Sequence, residues 1–105
     1  METKDKFDPI RKGLLEFVVL RVIASRKVYA ADILKILDST EFGTQEGTLY
    51  PLLSRLRREG LVEYEWIESD AGPPRKYYRL TAKGDEQRKV LERYWDDLTA
   101  TIKNL

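Results

Sequence analysis

The ten residues Gly72-Pro73-Pro74-Arg75-Lys76-Tyr77-Tyr78-Arg79-Leu80-Thr81 constrain the fold more than any other stretch of the chain. Just before them, Val62-Glu63-Tyr64-Glu65-Trp66-Ile67-Glu68 is rich in aromatic and β-branched residues and partly alternates, which predicts a strand. Ser69 to Arg75 reads as a turn region stiffened by Pro73-Pro74, and Lys76 to Leu80 as the return strand. Thr81 is placed to start a helix. The outline is a hairpin with a rigid, cationic tip.

The segments on either side have helical spacing. Residues 1–7 read as a frayed, flexible N-terminal arm, and Asp8-Pro9 as the first helix start, with aspartate as the cap and proline in the first turn. Ile10, Leu14, Phe17, Val18 and the run from Leu20 to Ile23 carry that helix to about Ser25. It is apolar around much of its circumference, so it is expected to pack on two sides. Ala30, Ile33, Leu34 and Leu37 predict a second helix from Tyr29 to about Asp38. Ser39 to Gly43 reads as a turn. Thr44 is the expected cap of a third helix, Gln45 to Glu59, with Leu49, Leu52, Leu53 and Leu56 inward. Gly60 and Leu61 match a left-handed helix stop with its hydrophobic contact. The order helix, helix, helix, strand, strand, helix is the plan of a winged helix-turn-helix: α+β, mostly helical, with a two-stranded wing. Residues 8–81 are the expected winged-helix domain and 82–105 a C-terminal dimerisation helix.

Composition narrows the chemistry. The chain has 105 residues, no cysteine and no histidine, with a formal net charge of +1. Thiol catalysis, disulfides and the usual neutral-pH general base are therefore excluded, and no motif marks a metal, a cofactor or a catalytic residue. The longest apolar stretch, Leu14–Ile23, is interrupted by Glu16 and Arg21 and falls short of the roughly 20 residues that span a bilayer. The charged N-terminus has no signal-like apolar core, so the expected location is the cytoplasm with no membrane partner. With so little net charge, attraction to nucleic acid must come from local clustering.

Two clusters qualify. On the third helix Gln45, Thr48, Tyr50, Pro51, Ser54, Arg55 and Arg58 fall on or near the outward side. Their hydroxyl, amide and guanidinium groups suit phosphates and base edges, and the helix N-terminus suits an anion. Pro51 predicts an irregular first turn. On the wing, Arg75 and Lys76 put positive charge beside the prolines, with Arg79 further along the strand. The competing interpretation is an ordinary solvated surface, and the acidic residues Glu63, Glu65, Glu68 and Asp70 on or after the first strand favour it.

The last helix carries a third pattern. Leu91, Trp95, Leu98, Ile102 and Leu105 are spaced 4, 3, 4 and 3 apart, an a/d heptad stripe. A stripe this short needs a partner, and a symmetric dimer supplies one while burying the second apolar side of the first helix. Trp95 at its centre can fill the interface or hold a flat aromatic ligand. The expected effector-facing residues are Trp95 and Leu98, with Leu14 and Phe17 opposite.

Gly47-Thr48-Leu49-Tyr50-Pro51-Leu52-Leu53, Arg57-Arg58-Glu59-Gly60-Leu61-Val62 and the Gly72–Thr81 segment, in this order and spacing, resemble the PadR family of transcriptional regulators. Leu14 to Ala24 is similar to that family's first helix. The resemblance covers the chain from about residue 10 to its end. It implies a winged-helix DNA-binding domain, a homodimer joined through C-terminal helices, and repression at a double-stranded operator relieved by a small molecule. The single helix after the wing looks like the small subgroup, in which a tryptophan on the last helix lines a ligand cavity at the dimer centre. One departure is Tyr29-Ala30-Ala31, where the family often has Tyr-Gly-Tyr. The leading expectation is a dimeric, sequence-specific DNA-binding repressor with a flat aromatic effector. The alternatives are a winged-helix protein-interaction module without DNA binding and, with no supporting motif, an enzyme.

Overall fold

The computed structural model describes the backbone of residues 2–69 and 71–105 and the side chains of 6–69 and 71–105. The elements run α1 (Glu2–Ser25), α2 (Ala30–Asp38), α3 (Glu46–Arg58), β1 (Val62–Ser69), β2 (Gly72–Leu80) and α4 (Ala82–Lys103). The expected order is thus the observed one.

The three leucines Leu49, Leu53 and Leu56 of α3 meet Val19 and Leu20 of α1, Ile33 of α2 and Val28 and Val62 beside the sheet, all buried in one core. Leu52, on the edge of the same stripe, packs partly buried against it. Apolar spacing near 3.6 is what turns these faces inward, and their burial is the main force holding the helices together.

Turn chemistry sets the path between elements. The Thr40 hydroxyl and amide both donate to the Leu37 carbonyl, closing α2. Gly60 adopts φ +79°, and the Leu61 amide returns to the Leu56 carbonyl at 2.9 Å, ending α3 and aiming the chain into β1. The antiparallel wing pairs Val62 with Leu80, Tyr64 with Tyr78 and Trp66 with Lys76. Val28 adds a one-residue third strand, since its amide and carbonyl both bond Tyr78. The Thr81 hydroxyl accepts from the Gly84 amide at 2.9 Å and starts α4, as expected of a cap.

Five local expectations are corrected. Helix α1 begins at Glu2, so residues 2–7 are helical where a frayed arm was expected, and Pro9 lies within the helix. Asp8 does not cap; it sits mid-helix and pairs with Lys12 at 3.1 Å and Arg11 at 3.7 Å, one turn on. The N-cap of α3 is Gln45, one residue after Thr44, and α3 runs through Pro51 without interruption. Finally, Pro73 and Pro74 belong to β2, not to the turn. Between the pairs Ile67–Arg75 and Ser69–Gly72, two prolines oppose the single residue Glu68. Lacking amide donors, they cannot continue the ladder, and the strand bulges there.

Helix α4 packs on α1 and on β2, and Arg21 of α1 pairs with Glu92 of α4. Among the described residues no helix is long and apolar enough to cross a membrane.

Candidate nucleic-acid interface

Helix α3 and the wing face one cleft of about 700 Å3. Tyr50 and Ser54 from α3, Trp66, Arg75, Lys76 and Tyr78 from the wing, and Tyr29, Ala30 and Ala31 from the start of α2 line it. The helix residues reach it because positions 47, 50, 51, 54 and 58 share the face opposite the leucine stripe. Of the wing residues, Trp66, Lys76 and Tyr78 share one side of the paired strands with Tyr64.

Aromatic rings hold the cations in place. The Arg75 guanidinium lies 4.7 Å from the centre of the Tyr29 ring. Tyr29 in turn packs edge-on against Tyr77 at 5.2 Å. The Lys76 ammonium lies 4.5 Å from the Tyr64 ring and 5.4 Å from Trp66. Arg57 at the end of α3 covers Tyr64 at 5.0 Å, so this ring joins α3 to the wing. Among the described residues, no carboxylate pairs with Arg75 or Lys76.

The acidic first strand does not cancel this charge. Glu63 accepts from Arg79 at 2.9 Å, and Glu65 is held by Lys27 at 2.6 Å and Arg79 at 3.5 Å. The hydrogen bond from Lys27, and then its charge, hold the Glu65 carboxyl below the usual range, with Arg79 adding to the effect. Arg79 is thereby committed to the wing itself. Burial pushes the Tyr78 hydroxyl above its ordinary value, and the neighbouring Tyr64 and Tyr50 add to this while Arg57 opposes it. Tyr78 therefore remains a hydrogen-bond donor at neutral pH.

The predicted helix residues divide into three groups. Tyr50 and Ser54 join Arg75 and Lys76 in the cleft, and Pro51 and Arg58 are exposed on the same face of α3. Gln45 and Thr48 lie around the helix instead, in a smaller hollow with Asp8, Lys12 and Glu41. Arg55 lies toward α1, where its guanidinium donates to Glu16 at 3.0 Å and to Glu59 at 3.1 Å. The bond to Glu16 and then that to Glu59 raise its pKa further above its ordinary value.

Sequence reasoning did not single out Tyr29 or Trp66 for this site. Trp66 shares a strand face with Tyr64 by simple alternation, so that signal was present. Tyr29 has no local signal, because its place depends on Val28 pairing with β2. Asp32 reaches back to the Tyr29 amide at 3.2 Å and fixes the start of α2.

At the other end, Trp95 and Phe17 share a hollow with Arg21, Glu92 and Asp96. Leu98 and Leu14 do not line it. Leu91 packs against the core, while Trp95, Leu98, Ile102 and Leu105 stay exposed, as do Phe7 and Ile10 on α1. Among the described residues, no cluster of acidic side chains could hold a metal ion.

Comparison with known proteins matches this geometry. The family model of the PadR-like transcriptional regulators matches residues 19–90. A PadR-like transcription factor from Bacteroides fragilis is 42% identical, with a TM-score of 0.79 over 95% of this chain and 97% of that one. A PadR-like regulator from Bacillus cereus is 37% identical, with a TM-score of 0.82 over 89% of this chain and 91% of its own. A PadR family regulator from Eggerthella lenta is 29% identical, with a TM-score of 0.85 over 97% and 89%. With a winged-helix fold and a family match over most of its length, the chain belongs to the PadR-like family of transcriptional regulators.

Proposed function

We propose that the protein is a dimeric repressor that grips duplex DNA between α3 and the wing and lets go when a small molecule binds. One observation carries the DNA part: Tyr50 and Ser54 of α3 and Arg75 and Lys76 of the wing line the same cleft, with the cations held on aromatic rings. The outward face of α3, with Pro51 and Arg58, enters the major groove. The wing tracks the adjacent backbone, so phosphate contacts supply most of the affinity. Gln45 and Thr48 contact the edge of the site. Arg55 can reach DNA only by leaving Glu16.

The exposed Trp95, Leu98, Ile102 and Leu105 support dimerisation through α4, with Phe7 and Ile10 of α1 joining the buried surface. Two recognition helices then meet successive major grooves about 34 Å apart. An effector held at Phe17 and Trp95 would release DNA by favouring a different spacing of those helices. Such a regulator works in the cytoplasm. The protein-interaction alternative draws on the acidic first strand and the low net charge, and pairing of Glu63 and Glu65 with Arg79 and Lys27 weakens the first of these.

The test is a salt titration of duplex binding. The wild type should lose affinity steeply as salt rises. Arg75→Ala with Lys76→Ala should weaken binding to every sequence and flatten the log–log slope by roughly 1–2. A wild-type slope in the double variant removes the wing from the interface.

A further inference from the structure

Two cations from different elements meet at one ring. Arg57 lies three residues after Ser54 and seven after Tyr50, so it shares the side of α3 that faces the cleft. It is exposed, and its guanidinium rests 5.0 Å from the centre of the Tyr64 ring. The Lys76 ammonium comes to the same ring at 4.5 Å. Tyr64 is half-buried against the core. Two neighbours hold it: Tyr78, its cross-strand partner, at 5.7 Å and Trp66 edge-on at 6.1 Å. A well-packed ring therefore gathers one cation from α3 and one from the wing.

Like charges gathered this way repel unless an anion lies between them. The reverse side of the wing shows such an arrangement completed. There Lys27 and Arg79 come together on Glu65, at 2.6 Å and 3.5 Å. At Tyr64, no carboxylate among the described residues pairs with Arg57 or Lys76. The helix dipole accounts for a cation in the last turn of α3, a role that Arg55 and Arg58 fill as well. It does not account for a second cation brought to the same ring from β2.

We propose that Arg57 and Lys76 form one site for a single backbone phosphate of the duplex, and that Tyr64 is the positioning residue that sets their spacing. The site rests on the DNA reading above and adds to it a contact from the last turn of α3. The phosphate takes the place that Glu65 holds on the reverse side of the wing. Because both cations already rest on the ring, little ordering is left to do on binding. The ring face holds the cations, so the ring and not its hydroxyl is what the site needs.

The experiment measures affinity of the full chain for a random-sequence duplex as salt rises, in the wild type, Arg57→Gln, Lys76→Gln and the double variant. The log–log slope counts neutralised phosphates, so two cations on one phosphate do not add. Either single variant should lower the slope by less than about 0.4 for each α3–wing unit, and the double variant by about 0.9. Arg26→Gln removes the same charge from the hollow with Lys27 and Arg79, and should leave the slope unchanged. Tyr64→Leu should weaken binding at least about threefold, and Tyr64→Phe should stay within about twofold of the wild type. In the free protein, NMR should show ring-current shifts at the Arg57 and Lys76 side chains in the wild type and Tyr64→Phe, and their loss in Tyr64→Leu. If Tyr64→Leu fails to fold, the Arg57 and Lys76 variants still decide the shared site, and Tyr64→Phe the role of the hydroxyl. Additive losses of about 0.9 from each cation, or a loss from Lys76→Gln with none from adding Arg57→Gln, would overturn the shared site and spare the DNA reading. Binding by Tyr64→Phe as weak as by Tyr64→Leu would overturn the positioning role. A wild type that binds no duplex at low salt would overturn the DNA reading and the site with it.

Discussion

Gly84 is a residue whose identity is fixed by another part of the chain. A Cβ built on it would lie 1.8 Å from the Leu61 carbonyl oxygen, which also accepts from the Thr81 amide at 3.1 Å. The first turn of α4 therefore lies directly on the exit from α3, and backbone on both sides leaves nothing to give way. Gly84→Ala should destabilise the fold by about 3 kcal/mol or more, read as a lower urea midpoint. Gly13→Ala is the matched control: nothing lies within 4 Å of the added atom, and mid-helix alanine should add about 0.5–1 kcal/mol. Arg55 makes the same point for charge. Its position on α3 suggested a DNA contact, but its partner Glu16 is 39 residues earlier, and no periodicity reports which charges on two packed helices meet. Arg55→Ala should change duplex affinity less than about threefold, well below Arg75→Ala, while a double-mutant cycle with Glu16→Gln should give a coupling of about 0.5–1 kcal/mol. A loss from Arg55→Ala as large as that from Arg75→Ala would mean the arginine leaves Glu16 when DNA binds.

At the scale of elements, the wing is tied back to the helical body through Lys27. Its bond to Glu65 fastens the connection before α2 to β1, while Val28 bonds Tyr78 alongside. Because the folded Glu65 titrates below its ordinary range, the tie contributes fully above the ordinary glutamate value and is lost as pH falls through the depressed one. The carboxyl carbon of Glu65, followed by NMR, should therefore titrate below the ordinary glutamate value. Lys27→Ala should move that midpoint upward, and a midpoint unchanged by Lys27→Ala would mean Arg79 alone holds the carboxylate. The existence and order of the elements were legible in the sequence because each carries its own period: 3.6 for the leucines of α3 and 2 for Tyr64, Trp66, Lys76 and Tyr78. The Gly60-Leu61 stop and the Thr81 cap were legible because their chemistry is local. The start of α1 was not, since Asp8-Pro9 fits a helix start as well as a helix interior in which Asp8 pairs with Lys12. Nor was the bulge at Pro73-Pro74, because proline stiffens a turn and interrupts a strand by the same loss of an amide, and only the register with Glu68 tells the two apart.

For the whole molecule, the two ends of the chain have opposite needs. The wing end presents Arg75 and Lys76 on aromatic rings, whereas the α4 end leaves Trp95, Leu98 and Ile102 in water on a stripe of regular spacing. A single copy exposes that stripe at a cost, and in the proposed dimer a second copy would cover it while bringing two α3–wing clefts onto one duplex. The proposed dimer would link the two requirements, because it would turn the second DNA contact into an intramolecular event with an effective concentration in the roughly millimolar range. Leu98→Asp with Ile102→Asp places two carboxylates on the seam, far from the cleft residues. This variant should sediment as a monomer that keeps its helix content. Its duplex affinity should fall by about a hundredfold or more. The steep salt dependence should fall with it, to roughly half the wild-type slope, because each monomer neutralises only its own share of phosphates. A monomer with undiminished slope and affinity would mean that one α3–wing unit makes all the DNA contact. In that case the exposed stripe on α4 would serve a partner other than a second copy of the chain.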